Sequence, residues 1–176
     1  AHRGGNINVN AGATLNIKGG IIQGGDSAGW GGNLYAKDAT VEMTAGDVKE
    51  PEIGQTPTYN ENMSLHSTVL NMSGGHISGY VDLVETAKAN LSGSAKIYAP
   101  VEHQNGLRVA SAATVKAVGA FNADAKIVLT GSNNTLAVQS SDTYTVVQSD
   151  VQYFVPSLTT QIVEFPDGKL YLRYNG

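Results

Sequence analysis

Asp47 and His76 are the two residues whose types and positions best fit catalytic chemistry. Each is the eighth residue of a nine-residue segment, and the two segments, 40–48 and 69–77, have similar sequences. If these segments lie side by side, the carboxylate faces the imidazole, as in general acid–base cleavage of a glycosidic bond. The alternative is a surface pair on stacked strands that contributes roughly a few tenths of a kcal/mol. No second carboxylate is predicted beside the pair, so we assign no catalytic residue.

Trp30 and Tyr59 are aromatic candidates for ligand binding. Trp30 is the single tryptophan of the chain and stands between Gly29 and Gly31. An exposed indole in such a corner stacks on a sugar ring, and the alternative is that it packs over the first coil. Tyr59 lies in a proline-containing segment that we expect to project from the fold. With Asp47 and His76, these residues form the predicted binding set.

No metal ion or cofactor is predicted for this chain. It has no cysteine and four histidines. These histidines lack the spacing of a zinc site and lie at His2, His66, His76 and His103.

The elements that position these residues belong to an internal repeat. Segments 14–22 (TLNIKGGII), 40–48 (TVEMTAGDV) and 69–77 (VLNMSGGHI) share one pattern, and 90–97 and 125–127 carry weaker copies. Successive copies are separated by about 20 to 30 residues, which is typical of a solenoid.

Within each repeat, apolar and polar residues alternate, which predicts short β-strands. Strands this short bury their apolar side only if equivalent residues of successive repeats stack. Glycine at the corners accepts the positive φ that a tight turn requires. The fold class is therefore all-β, a parallel β-helix, in which Leu15, Val41 and Leu70 lie in one inward stack.

The same stacking predicts two outward-facing columns of side chains, the second of which is polar. The first brings Asp47 next to His76 and consists of Ile21, Asp47, His76, Lys96 and Lys126. In the second, asparagine side chains hydrogen-bond along the solenoid axis; it consists of Asn16, Glu42, Asn71, Asn90 and Lys116. A sugar- or ion-binding strip is the alternative for this second column.

The repeat phrases G-G-N-(I/L), G-A-T-L-N-(I/M) and (S/K)-G-G-x-I-x-G occur between residues 4 and 130. They resemble the right-handed parallel β-helix (pectate-lyase-like) repeat regions of bacterial cell-surface and adhesin-like secreted proteins. The resemblance implies a right-handed coil and an adhesin-like stalk or passenger region. Some relatives are polysaccharide lyases or hydrolases, but their catalytic residues have no clear match in this sequence.

Two segments interrupt the repeat, and they divide the expected domain. We predict solenoid coils over 1–140, with a projecting loop at 49–66 that contains Pro51 and Pro57. Residues 141–176 are predicted to form a C-terminal β cap of the same domain. In this cap a hairpin turns at Asp167-Gly168, and the residues expected to cover the last coil are Phe154, Phe165 and Tyr171.

Composition and charge exclude some classes of binding partner. The chain has 176 residues and a net charge of −4. A basic cluster is missing from the sequence, so nucleic acid is not an expected partner. No apolar run is long enough to predict membrane insertion. Because the chain opens with Ala-His-Arg, we expect a processed product or an excised piece of a longer protein.

These features favour a non-catalytic structural or adhesive β-solenoid module of a secreted or cell-surface bacterial protein. The expected partners are host or bacterial surface glycans, or other copies of the chain. One alternative is a self-assembling extracellular filament subunit that stacks end to end through unpaired strand edges. Another alternative is a β-helix enzyme that degrades polysaccharides.

Overall fold

The computed structural model describes residues 2–50, 61–99, 106–131 and 135–174. It is an all-β structure with 55% strand and 6% helix, in which a parallel β-solenoid of about 5 turns is followed by antiparallel strands. This confirms the predicted fold class.

The described residues contain seventeen strands and two short 3₁₀-helices. The first ten strands are β1 (Ile7–Val9), β2 (Thr14–Ile22), β3 (Leu34–Lys37), β4 (Thr40–Val48), β5 (Glu61–His66), β6 (Val69–Met72), β7 (His76–Ile77), β8 (Tyr80–Val84), β9 (Lys88–Gly93) and β10 (Lys96–Ile97). The others are β11 (Leu107–Val109), β12 (Thr114–Phe121), β13 (Lys126–Thr130), β14 (Thr135–Ser140), β15 (Phe154–Pro156), β16 (Gln161–Glu164) and β17 (Leu170–Tyr174). The 3₁₀-helices are Gln148–Tyr153 and Pro166–Gly168.

Parallel pairing arranges the coils into three faces. Face A contains β1, β3, β5, β8 and β11 in spatial order. Face B contains β2, β4, β6, β9 and β12. Face C begins with the ends of β2 and β4 and continues through β7, β10 and β13. Each face therefore presents the same register position once per coil.

The inward stack predicted from the repeat is present on face B. Leu15 pairs with Val41, and Val41 pairs with Leu70. Val41 and Leu70 are fully buried, whereas Leu15, on the first coil, is only partly buried. The interior is filled because each apolar side chain packs against the equivalent side chains of the coils above and below it.

Glycine bends strands β2 and β4 from face B to face C. Gly46 has a φ of +90°, and a Cβ at this position would lie 2.8 Å from the carbonyl carbon of Gly19 in the coil below. A side chain is therefore excluded both by the backbone conformation and by the close approach of the coils. The corner lets one continuous strand serve two faces.

A buried asparagine ladder runs beside the first strands of face A. The Asn6 amide donates to Asn33 Oδ1 at 2.6 Å, and Asn33 Nδ2 donates to Asn62 Oδ1 at 2.6 Å. Asn62 Nδ2 in turn donates to the carbonyls of Val48 and Ser78. Asn33 and Asn62 are almost fully buried, and their amides satisfy the carbonyls of Lys49 and Ser78 and add a second hydrogen bond to that of Val48.

The C-terminal strands reverse direction across the last coil. β14 pairs in parallel with β12 and antiparallel with β17, and β16 pairs antiparallel with β17. The predicted hairpin is therefore present, and its turn contains Asp167 and Gly168, both with positive φ. Leu170 and Leu172, rather than Tyr171, supply the buried side chains of β17, because alternation points Tyr171 to the opposite side.

Phe154 and Phe165 lie on different parts of this C-terminal region. Phe154 is buried on β15, which continues the parallel stack through β13, with Phe154 opposite Ile127. Its ring contacts Phe121 edge to face, with centroids 5.3 Å apart. Phe165 is partly buried and packs against the same core.

The prediction that all of 49–66 forms a projecting loop is wrong at its C-terminal end. Residues 61–66 are strand β5, which pairs with β3 and β8, and Met63 and Leu65 are fully buried. The two prolines suggested a loop, but the apolar alternation of Met63 and Leu65 continues face A. Residues 51–60, with Pro51, Pro57 and Tyr59, lie outside the described residues.

We predict that Asn62→Ala destabilises the fold by about 2–3 kcal/mol, because the change removes three buried hydrogen bonds and leaves the Ser78 carbonyl without its amide donor. Chemical denaturation measures the loss. The matched control is Asn16→Ala: Asn16 is exposed, and its side chain makes no hydrogen bond to any described residue. Equal effects of the two substitutions would contradict the structural role of the ladder.

A second prediction concerns Tyr144, whose hydroxyl donates to both carboxylate oxygens of buried Asp150 at 3.1 Å. Burial and the Asp150 carboxylate raise the pKa of Tyr144 above its ordinary value of 10.0. Tyr144→Phe should lower the free energy of unfolding by about 1–2 kcal/mol at neutral pH. Since the folded-state pKa is raised, this contribution is complete below pH 10.0 and declines as pH rises through the raised value.

Urea denaturation of the unmodified protein and of Tyr144→Phe, at neutral and at alkaline pH, measures this difference. Tyr171→Phe is the control, because the Tyr171 hydroxyl has no hydrogen-bond partner among the described residues. An effect of Tyr171→Phe as large as that of Tyr144→Phe would show that the Asp150 contact is not responsible.

Candidate binding site

The predicted outward columns exist, and each has the expected order. Asp47 pairs with His76, His76 with Lys96, and Lys96 with Lys126. On face B, Glu42 Oε1 accepts from Asn71 Nδ2 at 2.6 Å, and Asn71 Oδ1 accepts from Asn90 Nδ2 at 2.7 Å. The second column is thus a hydrogen-bonded ladder along the axis, as the structural interpretation expected.

His76 is held more closely by Tyr98 than by Asp47. His76 Nδ1 lies 3.7 Å from Asp47 Oδ1, and His76 Nε2 lies 3.2 Å from the carbonyl oxygen of Tyr98. The imidazole stacks on the Tyr98 ring, with centroids 4.5 Å apart. Lys126 Nζ lies 4.8 Å from the same ring centroid. Both nitrogens of His76 therefore face protein groups.

Trp30 lies on a different part of the surface, at the edge of face A. Its side chain is 40% exposed, and an isolated parallel bridge pairs Trp30 with Arg3. The indole stacks near Tyr35, with centroids 6.3 Å apart, and meets the edge of His66 at 5.4 Å. The structure therefore does not bring Trp30 together with Asp47 and His76.

Arg3 completes a group that we call the aromatic–arginine cluster, formed by Arg3, Trp30, Tyr35 and His66. The guanidinium carbon of Arg3 lies 5.0 Å from the Trp30 ring centroid and 5.1 Å from that of Tyr35. Both distances fit cation–π attraction. The cluster combines a partly exposed aromatic surface with a fixed positive charge.

His66 is oriented by a serine and a glutamate. His66 Nε2 lies 3.1 Å from Ser64 Oγ, and His66 Nδ1 lies 3.6 Å from Glu85 Oε1. This order of hydroxyl, imidazole and carboxylate resembles that of a hydrolytic triad. Ser64, however, is fully buried, so its hydroxyl meets no solvent and serves to hold the imidazole against Trp30 and Tyr35.

An open groove of about 270 Å³ adjoins the cluster. Its lining residues are Arg3, Asn8, Asn10, Ala11, Tyr35, Lys37 and Asp38. The groove thus offers two cations, one carboxylate and two side-chain amides, which are groups that bind hydroxyl-rich and charged small ligands.

Most residues of this site were not predicted from the sequence. Of the cluster, only Trp30 was predicted to bind a ligand, and His66 was considered only as one of four histidines that lack the spacing of a zinc site. One feature of the sequence could have indicated the cluster. When β3 and β5 are placed in register, Tyr35 aligns with Ser64 and Lys37 aligns with His66. Tyr59, the fourth predicted binding residue, lies outside the described residues.

No group of three or more His, Cys, Asp or Glu side chains in the described segments is arranged to hold a metal ion. The described segments contain no helix with the length and hydropathy of a transmembrane span.

Comparison of the chain with protein families, curated proteins and solved structures gives no match. The β-helix repeat inferred from the sequence phrases is present as a parallel β-solenoid. The pectate-lyase-like or adhesin identity receives no support from a family match.

We predict that Glu85→Gln lowers the melting temperature at pH 7. The Ser67 hydroxyl, which donates to Glu85 Oε2 at 2.8 Å, and the nearby His66 keep the pKa of Glu85 below its ordinary value of 4.5. Ionised Glu85 therefore stabilises the fold above pH 4.5, and this contribution is lost as pH falls through the lowered pKa.

Thermal melts of both chains between neutral and strongly acidic pH measure this difference. Asp124→Asn is the control, because its exposed carboxylate makes no side-chain hydrogen bond or ion pair within the described residues. A Glu85→Gln difference that stays constant down to the lowest pH would contradict the assignment.

Proposed function

We propose that this chain is a non-catalytic structural and adhesive module of a secreted or cell-surface bacterial protein. In this proposal the solenoid is a stiff support, and the aromatic–arginine cluster contacts glycans. The resemblance of the repeat phrases to bacterial surface proteins supports the location, and the parallel coils are the architecture that the resemblance implies.

Stiffness follows from the way the coils are connected. Strand pairing on three faces links each coil to the next, and asparagine side chains add hydrogen bonds along the axis both inside and outside the stack. Bending such a rod would stretch several rows of hydrogen bonds at once. A module of this kind suits the display of a binding surface at a distance.

The observation that carries the adhesive part of the proposal is the position of Trp30. The indole is 40% exposed although it contacts Tyr35, His66 and Arg3. Because its neighbours already restrict the tryptophan side chain, little conformational entropy is lost when a flat ligand stacks on its solvent-exposed face. Sugar rings present such a flat apolar face.

We predict that the full chain binds members of a panel of immobilised host and bacterial glycans, and that Trp30→Ala weakens this binding by about 10-fold or more. Glycan-array screening followed by isothermal titration calorimetry measures both effects.

Tyr98→Ala is the matched control for Trp30→Ala. Tyr98 also carries a stacked histidine and a cation, but it lies on face C. We expect this variant to bind as the unmodified chain does. Binding that survives Trp30→Ala and fails with Tyr98→Ala would place the adhesive surface on face C and contradict the proposal.

Self-association is a second candidate function, favoured by the exposed first coil. Ile21 is 56% exposed, and Leu15 is less buried than Val41 and Leu70, its equivalents on the next coils. A second copy placed on this coil would bury the apolar residues and pair the strand edges. The antiparallel strands β14 and β17 cover the opposite end, so this geometry favours a pair of chains over an extended filament.

Light scattering coupled to gel filtration at two concentrations distinguishes these outcomes. A mass that doubles with concentration, and returns to one chain in Ile21→Lys, supports pairing. Polymer growth supports the filament alternative.

Polysaccharide cleavage is the enzymatic alternative, and it rests on Asp47 and His76. The two side chains are close, but the backbone carbonyl of Tyr98 lies within hydrogen-bond distance of the second ring nitrogen of His76. Incubation with plant and bacterial polysaccharides, followed by reducing-end and unsaturated-product assays, tests this alternative directly.

A further inference from the structure

Arg3 carries a positive charge that the fold holds beside two aromatic rings. Its guanidinium faces the rings of Trp30 and Tyr35, and no carboxylate of the described residues forms an ion pair with it. Ring faces accept the cation but leave the N–H groups at the edge of the guanidinium free to donate.

Other arginines of the described chain behave differently. Arg108 Nε donates to Asp82 Oδ1 at 2.8 Å, and its second nitrogen donates to Asp82 Oδ2. Arg173 Nε lies 3.2 Å from Glu164 Oε2. Both of these guanidinium groups have a carboxylate partner in the protein. Among the described arginines, Arg3 is therefore the one whose N–H donors can pair with the carboxylate of a ligand.

The groove beside Arg3 adds the other features of a sugar site. Lys37 contributes a second positive charge, and Asn8 and Asn10 contribute amides that donate to and accept from hydroxyl groups. Asp38 supplies an acceptor for sugar hydroxyls. These charges leave the groove with a net charge of +1, from two cations and one carboxylate, in a chain whose net charge is −4.

We propose that this groove binds a sugar that carries a carboxylate, such as a hexuronate, with the Arg3 guanidinium as the partner of that carboxylate. The proposal rests on the glycan-binding function proposed above and specifies its ligand class. A carboxylate matches the planar fork of arginine in a bidentate pair, whereas a neutral sugar leaves the guanidinium without a charged partner. The volume of about 270 Å³ is near the lower end of small-ligand sites, roughly 300 Å³, and suits one or two sugar rings.

Trigalacturonate and its fully methyl-esterified form are the probes that test the charge requirement. The two trimers share their rings and hydroxyl groups and differ in the carboxylates. Calorimetry should show that the full chain binds the acid at least about 10-fold more tightly than the ester. Trp30 is the single tryptophan, so a change in its fluorescence on binding reports contact with the cluster.

Arg3 variants test the assigned partner. Arg3→Gln should reduce the affinity for the acid about 10-fold or more and leave the weak affinity for the ester unchanged. Arg3→Lys should be intermediate, because it keeps the charge and loses the fork. The control Lys18→Gln removes one positive charge from exposed β2 and should leave both affinities unchanged. Thermal melts establish that every variant is folded.

Each remaining outcome has a distinct meaning. Equal, Trp30-dependent binding of acid and ester overturns the carboxylate assignment and retains glycan binding. Failure of the whole glycan panel to bind overturns the proposed function itself. Competition by poly-glutamate as strong as by trigalacturonate overturns the sugar class, because the site would then recognise an acidic peptide.

Discussion

Where a coil turns, any buried backbone N–H or C=O group that leaves the strand ladder requires another partner. At the corner before face A, the amides of Asn33 and Asn62 meet this requirement by bonding to each other and to the carbonyls of Lys49, Val48 and Ser78. An unsatisfied buried group costs more than an ordinary hydrogen bond contributes. The ladder therefore supports the register that strand pairing gives the first coils, and the outward residues of face A are positioned by that register.

That register explains why face A carries the candidate site. The outward positions of faces B and C form columns of polar residues that pair along the axis. On face A the outward row passes from Asn8 through Tyr35, Ser64 and Asp82 to Arg108, and its middle three members are buried. Large rings and guanidinium groups lie over this row, so face A has a second layer of side chains outside the coil.

The aromatic clusters on face A and face C differ in how their charges are balanced. On face C, His76 lies between Asp47 and Tyr98, and Lys126 faces the Tyr98 ring. On face A, Arg3 contacts two ring faces and has no carboxylate partner in the described residues. An isolated surface pair such as Asp47–His76 contributes little to stability, whereas an unpaired, fixed guanidinium is available for recognition. This difference in pairing is the physical basis for assigning ligand binding to face A.

The repeat in the sequence determined the coils, because alternation with period 2 and glycine corners permit few other arrangements. Leu15, Val41 and Leu70, the Asp47–His76 column and the Asn71–Asn90 ladder all follow from placing similar segments in register. The sequence also showed the hairpin at Asp167-Gly168. The prediction of a loop over 61–66 was wrong, because the nearby prolines were given more weight than the short apolar alternation of Met63 and Leu65.

Only the tertiary structure decided which side chains meet across coils at the edge of face A. Arg3 and Trp30 stand outside the strands, and Glu85 reaches His66 from a turn, so strand periodicity does not place any of them. Asn6 and Asn33 occupy equivalent positions of the phrase G-G-N-(I/L), but the burial of Asn33 and Asn62 depends on where each corner bends. Periodicity specifies the stacking of equivalent positions, whereas contacts between non-equivalent positions depend on the path of the corners in three dimensions.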